Sequence, residues 1–107
     1  MANLITLRHA TPRRNLASIA REGLDTSYHQ CPLPEIWLHS TSKSAWAILH
    51  TAKRHNVSAE AVAIVTVRIP RRWLCRKWRG IWTVKHSIPV ERIVSVNPRA
   101  ALAVAAA

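Results

Sequence analysis

The sequence predicts an α+β domain in which two helices pack against one twisted or split, antiparallel-rich sheet. A chain of 107 residues with 49% hydrophobic residues has the size and composition of a single domain with its own core. Helix-period patterns occur only in the first half, whereas three short strand patterns follow one another in the second half. The predicted order is therefore strand, helix, loop, strand, helix and three strands over residues 1–98, with an Ala-rich tail at 99–107.

The first unit is predicted to be a strand, a tight turn and a helix. Residues 3–9 alternate apolar and polar side chains, as a half-buried strand does. Thr11 then provides a capping hydroxyl, and Pro12 suits the first helical position. Apolar residues recur at helical spacing up to Gly23, which is a good left-handed stop.

A loop and a second helix follow. Residues 25–35 include Pro32 and Pro34 and show no periodicity, and a loop of that length is often functional. Residues 36–39 predict a second short strand, and the hydroxyl run at 40–42 can cap a second helix. The predicted buried face of that helix consists of Ala45, Ile48, Leu49 and Ala52.

The second half is strand-rich. Residues 61–69 form the longest β-branched run, which indicates a central strand covered on both faces and ended by Pro70. Residues 71–79 are compatible with a short helical turn, and 81–84 and 92–96 with two further strands. The tail has helical propensity but no cap, so a helix on the sheet, a partner-binding segment and a frayed end all stay open.

The large positive net charge indicates what kind of partner the protein binds. Sixteen Lys and Arg residues against five Asp and Glu residues give a net charge of +11. Self-repulsion of that size favours a polyanionic partner, and we expect nucleic acid, with nucleotide phosphates or an acidic protein as alternatives.

No apolar run approaches the roughly 18 residues of a membrane span, and the first residues lack a signal-peptide pattern. Cys31 and Cys75 are too few for a disulfide scaffold, so we expect reduced thiols in a cytoplasmic protein.

The turn after the first strand is the first candidate site. A His at a strand end, two residues before a Thr that starts a helix, presents an imidazole, a hydroxyl and free N–H groups together. That set can hold a ribose hydroxyl, a carboxamide or a phosphate. In the alternative, Thr11 is only a helix cap and His9 is an ordinary surface residue.

Four segments together carry a resemblance to a known fold. They are Arg8-His9-Ala10-Thr11, the helix pattern Asn-Leu-Ala-Ser-Ile-Ala-Arg-Glu-Gly-Leu at 15–24, Ile-Trp-Leu-His-Ser at 36–40 and Ser-Ile-Pro-Val-Glu-Arg-Ile at 87–93. In order and spacing they resemble the ADP-ribosyltransferase fold, especially RNA 2′-phosphotransferases and DNA-targeting ADP-ribosyltransferase toxins. The similarity is discontinuous but spans most of residues 4–96.

The resemblance implies NAD as a substrate. By it, His9 and Thr11 would contact the nicotinamide ribose, and Ser40 would line the nicotinamide pocket. We expect His9 and Arg8 to be catalytic, and Arg13 to join His9, Thr11 and Ser40 in binding NAD.

One departure from the resemblance divides the functional hypotheses. ADP-ribosyltransferases usually place a Glu on a late strand, yet residues 61–90 contain no acid and the matching stretch is 81–84. A phosphate acceptor is already anionic and needs a cationic clamp more than a general base. One hypothesis is therefore an NAD-dependent transferase acting on nucleic acid, by ADP-ribosyl transfer or RNA 2′-phosphate transfer. The alternative is a catalytically silent nucleotide- or nucleic-acid-binding module of the same fold.

A cationic, Trp-rich stretch is the second candidate site. Residues 68–85 hold seven cations, no acid and three of the five Trp residues. Interleaved guanidinium and indole groups are typical of grooves for single-stranded RNA or DNA. The predicted contacts are Arg68, Arg71, Arg72, Trp73, Arg76, Lys77 and Arg79. In the alternative the indoles are core residues, and we expect at least two of Trp73, Trp78 and Trp82 to pack inward.

The histidines predict no metal site. His29 and Cys31 could chelate an ion, but no second close pair completes a tetrahedral set. His50 and His55 are five residues apart and should point in different directions on a helix. Trp46 fits either the edge of the pocket or the core.

Overall fold

A computed structural model describes residues 3–26 and 35–102 of the chain. Within those residues it is an α+β domain with two α-helices, as predicted, and one antiparallel sheet of six strands, one more than the sequence predicts. The strands are β1 (Leu4–Pro12), β2 (Ile36–His39), β3 (Val62–Pro70), β4 (Cys75–Trp78), β5 (Ile81–Val84) and β6 (Ile93–Asn97). The helices are α1 (Leu16–Glu22) and α2 (Ser44–His55). The strand order is β4-β5-β2-β1-β3-β6.

The first strand is longer than the sequence pattern predicts. Thr11 and Pro12 belong to β1, and a 3-10 turn at Arg13–Asn15 separates them from α1, so the prediction that Thr11 caps the helix is wrong. Backbone pairing with β3 over nine positions, from Leu4↔Pro70 to Pro12↔Val62, outweighs the local capping preference. The predicted stop is confirmed, because Gly23 has φ +76° and its N–H donates to Ile19 O at 2.8 Å.

The sheet opens between β1 and β2. Whereas β1 pairs with β3 along its whole length, it pairs with β2 only at Arg8↔His39. The six strands therefore form two halves, β4-β5-β2 and β1-β3-β6, that are joined at one residue pair.

The main core is shared by both halves. Leu7, Val65, Val67 and Ile69 come from one half, Ile36, Leu38 and Val84 from the other, and Ile19 of α1 packs with them. The end of α1 is tied to the segment before β6 by two hydrogen bonds between Leu24 and Ile88, of 2.9 and 2.8 Å. Gly23 permits this approach, since a Cβ at that position would lie 2.2 Å from Ile88 O.

Helix α2 packs on β1 and β3 with a different face from the predicted one. Ile48 and Ala52 are buried as expected, but Ala45 and Leu49 are exposed, and Ala47 and Thr51 are buried in their place. The helix is rotated toward the opening of the sheet, where Ala47 and Thr51 line a cleft. Asn56, in the left-handed conformation at φ +52°, ends α2.

The second half of the chain follows the predicted pattern with one exception. β3 lies between β1 and β6 and is largely buried, and β5 and β6 are close to their predicted positions. Residues 71–79 do not form one helical turn, because only Arg71–Trp73 is 3-10 helical and β4 pairs with β5 in a hairpin.

The tail is described only at its start. Residues 100–102 are helical, and Ala100, 2% exposed, packs with Ile48 and Ile64 in a second core cluster. The rest of the tail and the predictions for Pro32, Pro34 and the His29–Cys31 pair lie outside the described residues. No helix within residues 3–26 and 35–102 is long and apolar enough to span a membrane.

Candidate functional site

A cleft of about 320 Å³ lies where the two halves of the sheet separate. Its size is within the usual range for small-molecule sites, about 300–1,000 Å³. The ends of β1 and β2, the last turn of α1, one side of α2 and the β4–β5 hairpin form its walls. The lining residues used below are His9, Thr11, Asp25, Trp37, His39, Trp46, His50, Arg54, His55, Trp78 and Ile81.

His9 and Thr11 are two residues apart on β1 and therefore lie on the same face of the strand. The Nδ1–H of His9 donates to the carbonyl oxygen of Trp37, 2.8 Å away, across the gap where backbone pairing between β1 and β2 is missing. The hydroxyl of Thr11, 4% exposed, accepts a hydrogen bond of 3.2 Å from Asn15 Nδ2. Both side chains are thus held in place on the cleft wall.

His39 ends β2 and is buried in the floor of the cleft, with 3% of its surface exposed. Its Nε2 lies 3.5 Å from the hydroxyl of Ser44 at the start of α2. Burial, and then the neighbouring charges of His9 and Arg8, lower the pKa of His39 from 6.5 to about 4. This imidazole is therefore neutral at physiological pH.

Aromatic rings form two walls of the cleft. Trp37 and Trp78 stack with their ring centroids 5.8 Å apart and an angle of 27° between the planes. On α2, Trp46 and His50 stack at 5.0 Å and 11°. Trp46 is 42% and Trp78 60% exposed, so both present ring surface to solvent at the cleft. Such walls suit a planar, partly apolar ligand.

Arg54 and two histidines complete the α2 side. Trp46, His50 and Arg54 recur every four residues and share one side of the helix. Burial, and then Arg54 and Arg14, lower the pKa of His55. His50 and His55 both line the cleft, and His55 is the last residue of α2.

The predicted NAD-binding residues are brought together only in part. His9 and Thr11 line the cleft, whereas Arg8, Arg13 and Ser40 do not. Arg8 lies on the opposite face of β1, where its Nη1 donates to Thr41 Oγ1. Ser40 Oγ pairs with Ser42 Oγ at 3.0 Å, and Arg13 is exposed in the turn after β1.

The sequence left Trp46 open between the pocket edge and the core, and it lines the cleft. His39, Trp37 and Arg54 also line the cleft but were not predicted, and Ser40, next to His39, was predicted in place of it. No local signal identifies Trp37, because its position beside His9 depends on the register of β2.

Acidic groups are scarce at the site. Within the described residues, Asp25 is the only carboxylate that lines the cleft, and it accepts a hydrogen bond of 3.4 Å from Ser87 Oγ. The late strand β5 contributes Ile81, an apolar and buried side chain. Glu91 is exposed in the turn before β6.

The cationic stretch at 68–85 divides into two groups. The first is the segment around Trp73, which lies away from the cleft. Trp73 packs against the main core; the His86 ring lies nearly perpendicular to it with the centroids 4.6 Å apart, and Arg92 lies over the Trp73 ring at 5.4 Å. Arg71 N–H donates to Asn3 O at 2.9 Å, and Asn3 precedes His9 by six extended residues, or about 20 Å.

The second group is the β4–β5 hairpin, which reaches the cleft through Trp78. Arg76 and Arg79 are exposed there, and Lys77 Nζ lies 3.4 Å from Glu35 Oε1. The expectation that two of the three Trp residues pack inward is confirmed, because Trp73 and Trp82 pack against the core.

Metal-ligating side chains do not cluster within residues 3–26 and 35–102. No group of three or more His, Cys, Asp or Glu residues could hold a metal ion in the part of the chain that the structure describes. Cys75 is a half-buried free thiol.

Two comparisons with known proteins find no relative. No protein-family model matches this chain, and a search of the curated proteins finds no significant match.

Proposed function

We propose that the protein is an NAD-dependent transferase that acts on nucleic acid and binds NAD in the cleft. The observation that carries this proposal is the position of His9 and Thr11, side by side on β1 at the opening between the sheet halves. Indole walls opposite them suit the nicotinamide ring, and a His and a Thr suit ribose hydroxyls.

The sequence resemblance to ADP-ribosyltransferases supports the same function. It implies a split, antiparallel-rich sheet with two packed helices and a His-x-Thr at the end of the first strand. The single residue pair between β1 and β2, and the place of His9 and Thr11, agree with that expectation.

The residues of the cleft favour an anionic acceptor. In the transfer, the bond between the ribose C1′ and the nicotinamide nitrogen breaks, nicotinamide leaves with the electron pair, and an acceptor oxygen bonds to C1′. β5 offers no carboxylate to activate a neutral hydroxyl. A nucleic-acid phosphate carries its own negative charge, and Arg54 lines the cleft to meet it.

Release of nicotinamide from NAD in the presence of 2′-phosphorylated RNA, other RNA or DNA tests the proposal. We expect label transfer to the acceptor, and we expect His9→Ala to lower the rate at least about 10-fold through loss of the ribose contact. His86→Ala, at an exposed position outside the cleft, is the matched control and should leave the rate unchanged. Unaltered turnover and NAD binding in His9→Ala would contradict the assignment of the cleft.

The silent binding module is the second candidate, and Ile81 favours it. This buried side chain of β5 lines the cleft where the resemblance leads one to expect a Glu on a late strand. A thermal shift with NAD or ADP-ribose, without any nicotinamide release, identifies the silent module.

A gain-of-function variant sharpens that test. We expect Ile81→Glu to raise nicotinamide release from NAD at least about 10-fold, since the new carboxylate would stabilise positive charge on the ribose. Lys85→Glu places an acid on the same part of the chain but outside the cleft, and it should have no effect. An Ile81→Glu variant that folds and binds NAD without gaining activity would contradict the proposed orientation of NAD.

A further inference from the structure

We infer that the outward face of Trp78 is the platform on which a base of a single-stranded nucleic acid stacks as the strand approaches the cleft. This rests on the proposed function in one respect, that the strand leads into the cleft where NAD is bound. A base can stack on Trp78 in the absence of NAD, so oligonucleotide binding to the platform can be measured without NAD.

Trp78 is exposed and held rigid at the same time. Its inner side stacks on the half-buried Trp37, and 60% of the residue remains exposed. An exposed indole gains little for folding, whereas a large, fixed aromatic face binds a base with little loss of conformational freedom. Base stacking is the interaction that such a face offers to nucleic acid, and every base has a face to stack.

The hairpin that carries Trp78 is fixed against the segment between β2 and α2. Gly80, at φ +78° in the turn, accepts a hydrogen bond of 2.9 Å from Ser40 N–H. The approach is close, because a Cβ on Gly80 would lie 2.9 Å from Ser40 Oγ. The residue pair Trp78↔Ile81 then sets Trp78 beside a lining residue of the cleft.

The charges around the ring suit a phosphate backbone. Arg76 and Arg79 are exposed on either side of Trp78 in sequence, and β4, β5 and their turn contain no acidic residue. Lys77 is engaged with Glu35, so the two arginines are the cations assigned to phosphates. Bases in a duplex are paired and stacked on each other, which is why the platform selects a single strand.

The other two indoles of the cationic stretch, Trp73 and Trp82, pack against the main core and do not offer such a face. Trp73 has Arg92 over its ring and the His86 ring packed nearly perpendicular to it. The candidate platform is thus confined to the hairpin, and it differs from the seven-residue surface that the sequence predicted.

Fluorescence anisotropy of short labelled oligonucleotides, without NAD, tests the inference on the full chain. We expect Trp78→Ala to weaken binding of single-stranded RNA or DNA roughly 5- to 100-fold, and Trp78→Phe to restore most of it. Parallel RNA and DNA arms show which sugar the strand carries, and weaker binding of a duplex of the same sequence supports the platform in either arm.

Two arginine pairs separate the local effect from bulk charge. Loss of Arg76 and Arg79 to Ala should lower the log–log salt slope by about 1.4. Loss of Arg21 and Arg99, equally exposed but on α1 and after β6, should change it less. Unchanged binding in Trp78→Ala, equal affinity for duplex, or equal effects of the two pairs would overturn the inference.

The test also separates this inference from the proposed function. If NAD gives no thermal shift but Trp78→Ala still loses oligonucleotide binding, the platform stands and the transferase fails. If NAD binds and turns over while Trp78→Ala binds the strand normally, only the platform fails.

Discussion

Trp73 and Trp78 are five residues apart in the same cationic stretch, yet they belong to different regions of the molecule. Trp73 packs into the core that both sheet halves share, and Arg92 and His86 cover it further. Trp78 stands where the halves separate, stacked on Trp37 and 60% exposed. Similar composition thus adds to the core in one place and leaves an aromatic ring exposed in the other.

The boundary between these regions is the pair Arg8↔His39, and it shows why they differ. The main core draws residues from both sheet halves, whereas the side chains of the cleft face open space. A residue of the core region should therefore affect the free energy of unfolding, and a residue of the cleft mainly ligand binding.

The largest effect on stability is expected from His39, at the boundary. Its pKa is lower in the folded state, about 4, than the usual 6.5, so the unfolded chain binds more protons between those values. Acidification through that window should lower the free energy of unfolding by roughly 3 kcal/mol, a contribution fully present above about pH 6.5.

Urea unfolding of the wild type and His39→Gln near pH 7 and near pH 4.5 measures that contribution. The variant should lose clearly less stability on acidification than the wild type. Equal losses in the two proteins would contradict a buried, neutral His39.

A smaller effect is expected when the two indoles are compared directly. Trp73→Ala should cost about 2 kcal/mol, less than a fully buried Trp because the residue is half-buried. Trp78→Ala should cost less than about 1 kcal/mol, since most of its surface is exposed. Urea unfolding midpoints of both variants measure the difference, and equal values would erase the distinction between core and cleft.

A further small effect is expected at the hairpin turn. Gly80→Ala should cost about 1 kcal/mol, because φ is +78° and the added methyl group meets Ser40 Oγ and Lys43 Cγ. Both neighbours are side-chain atoms that can shift. Adding Ser40→Ala should therefore recover part of the loss, as a double-mutant cycle by thermal unfolding would show; full additivity would contradict the contact.

Much of the fold was accessible from local patterns. The β-branched run at 61–69 predicts β3 within one residue at each end, because its pattern and its neighbours agree. The prediction that Thr11 caps α1 was wrong because its capping preference competes with nine backbone pairs between β1 and β3, which a local sequence pattern does not contain. The prediction that Leu49 is buried was wrong for a related reason, because apolar spacing alone does not determine how far α2 is rotated toward the opening of the sheet.

The candidate site was predicted less completely than the fold. His9 and Thr11 lie together because alternation along one strand is a local rule. Arg8 was grouped with them by proximity in sequence, although the same rule places it on the other face. His39, Trp37 and Trp78 come from three separate segments, and only the pairing of β2 with β1 and β5 brings them to one cleft.

Short-range pattern and composition were enough to establish two helices, a strand-rich second half, a strongly basic chain and a His-x-Thr at a strand end. Tertiary structure alone decided that β1 and β2 share a single pair, that a cleft opens there, and which indole of the basic stretch stays exposed. The physical reason is range. Alternation, capping and charge act between neighbours in the chain, whereas strand register and ring stacking arise only when distant segments pack together.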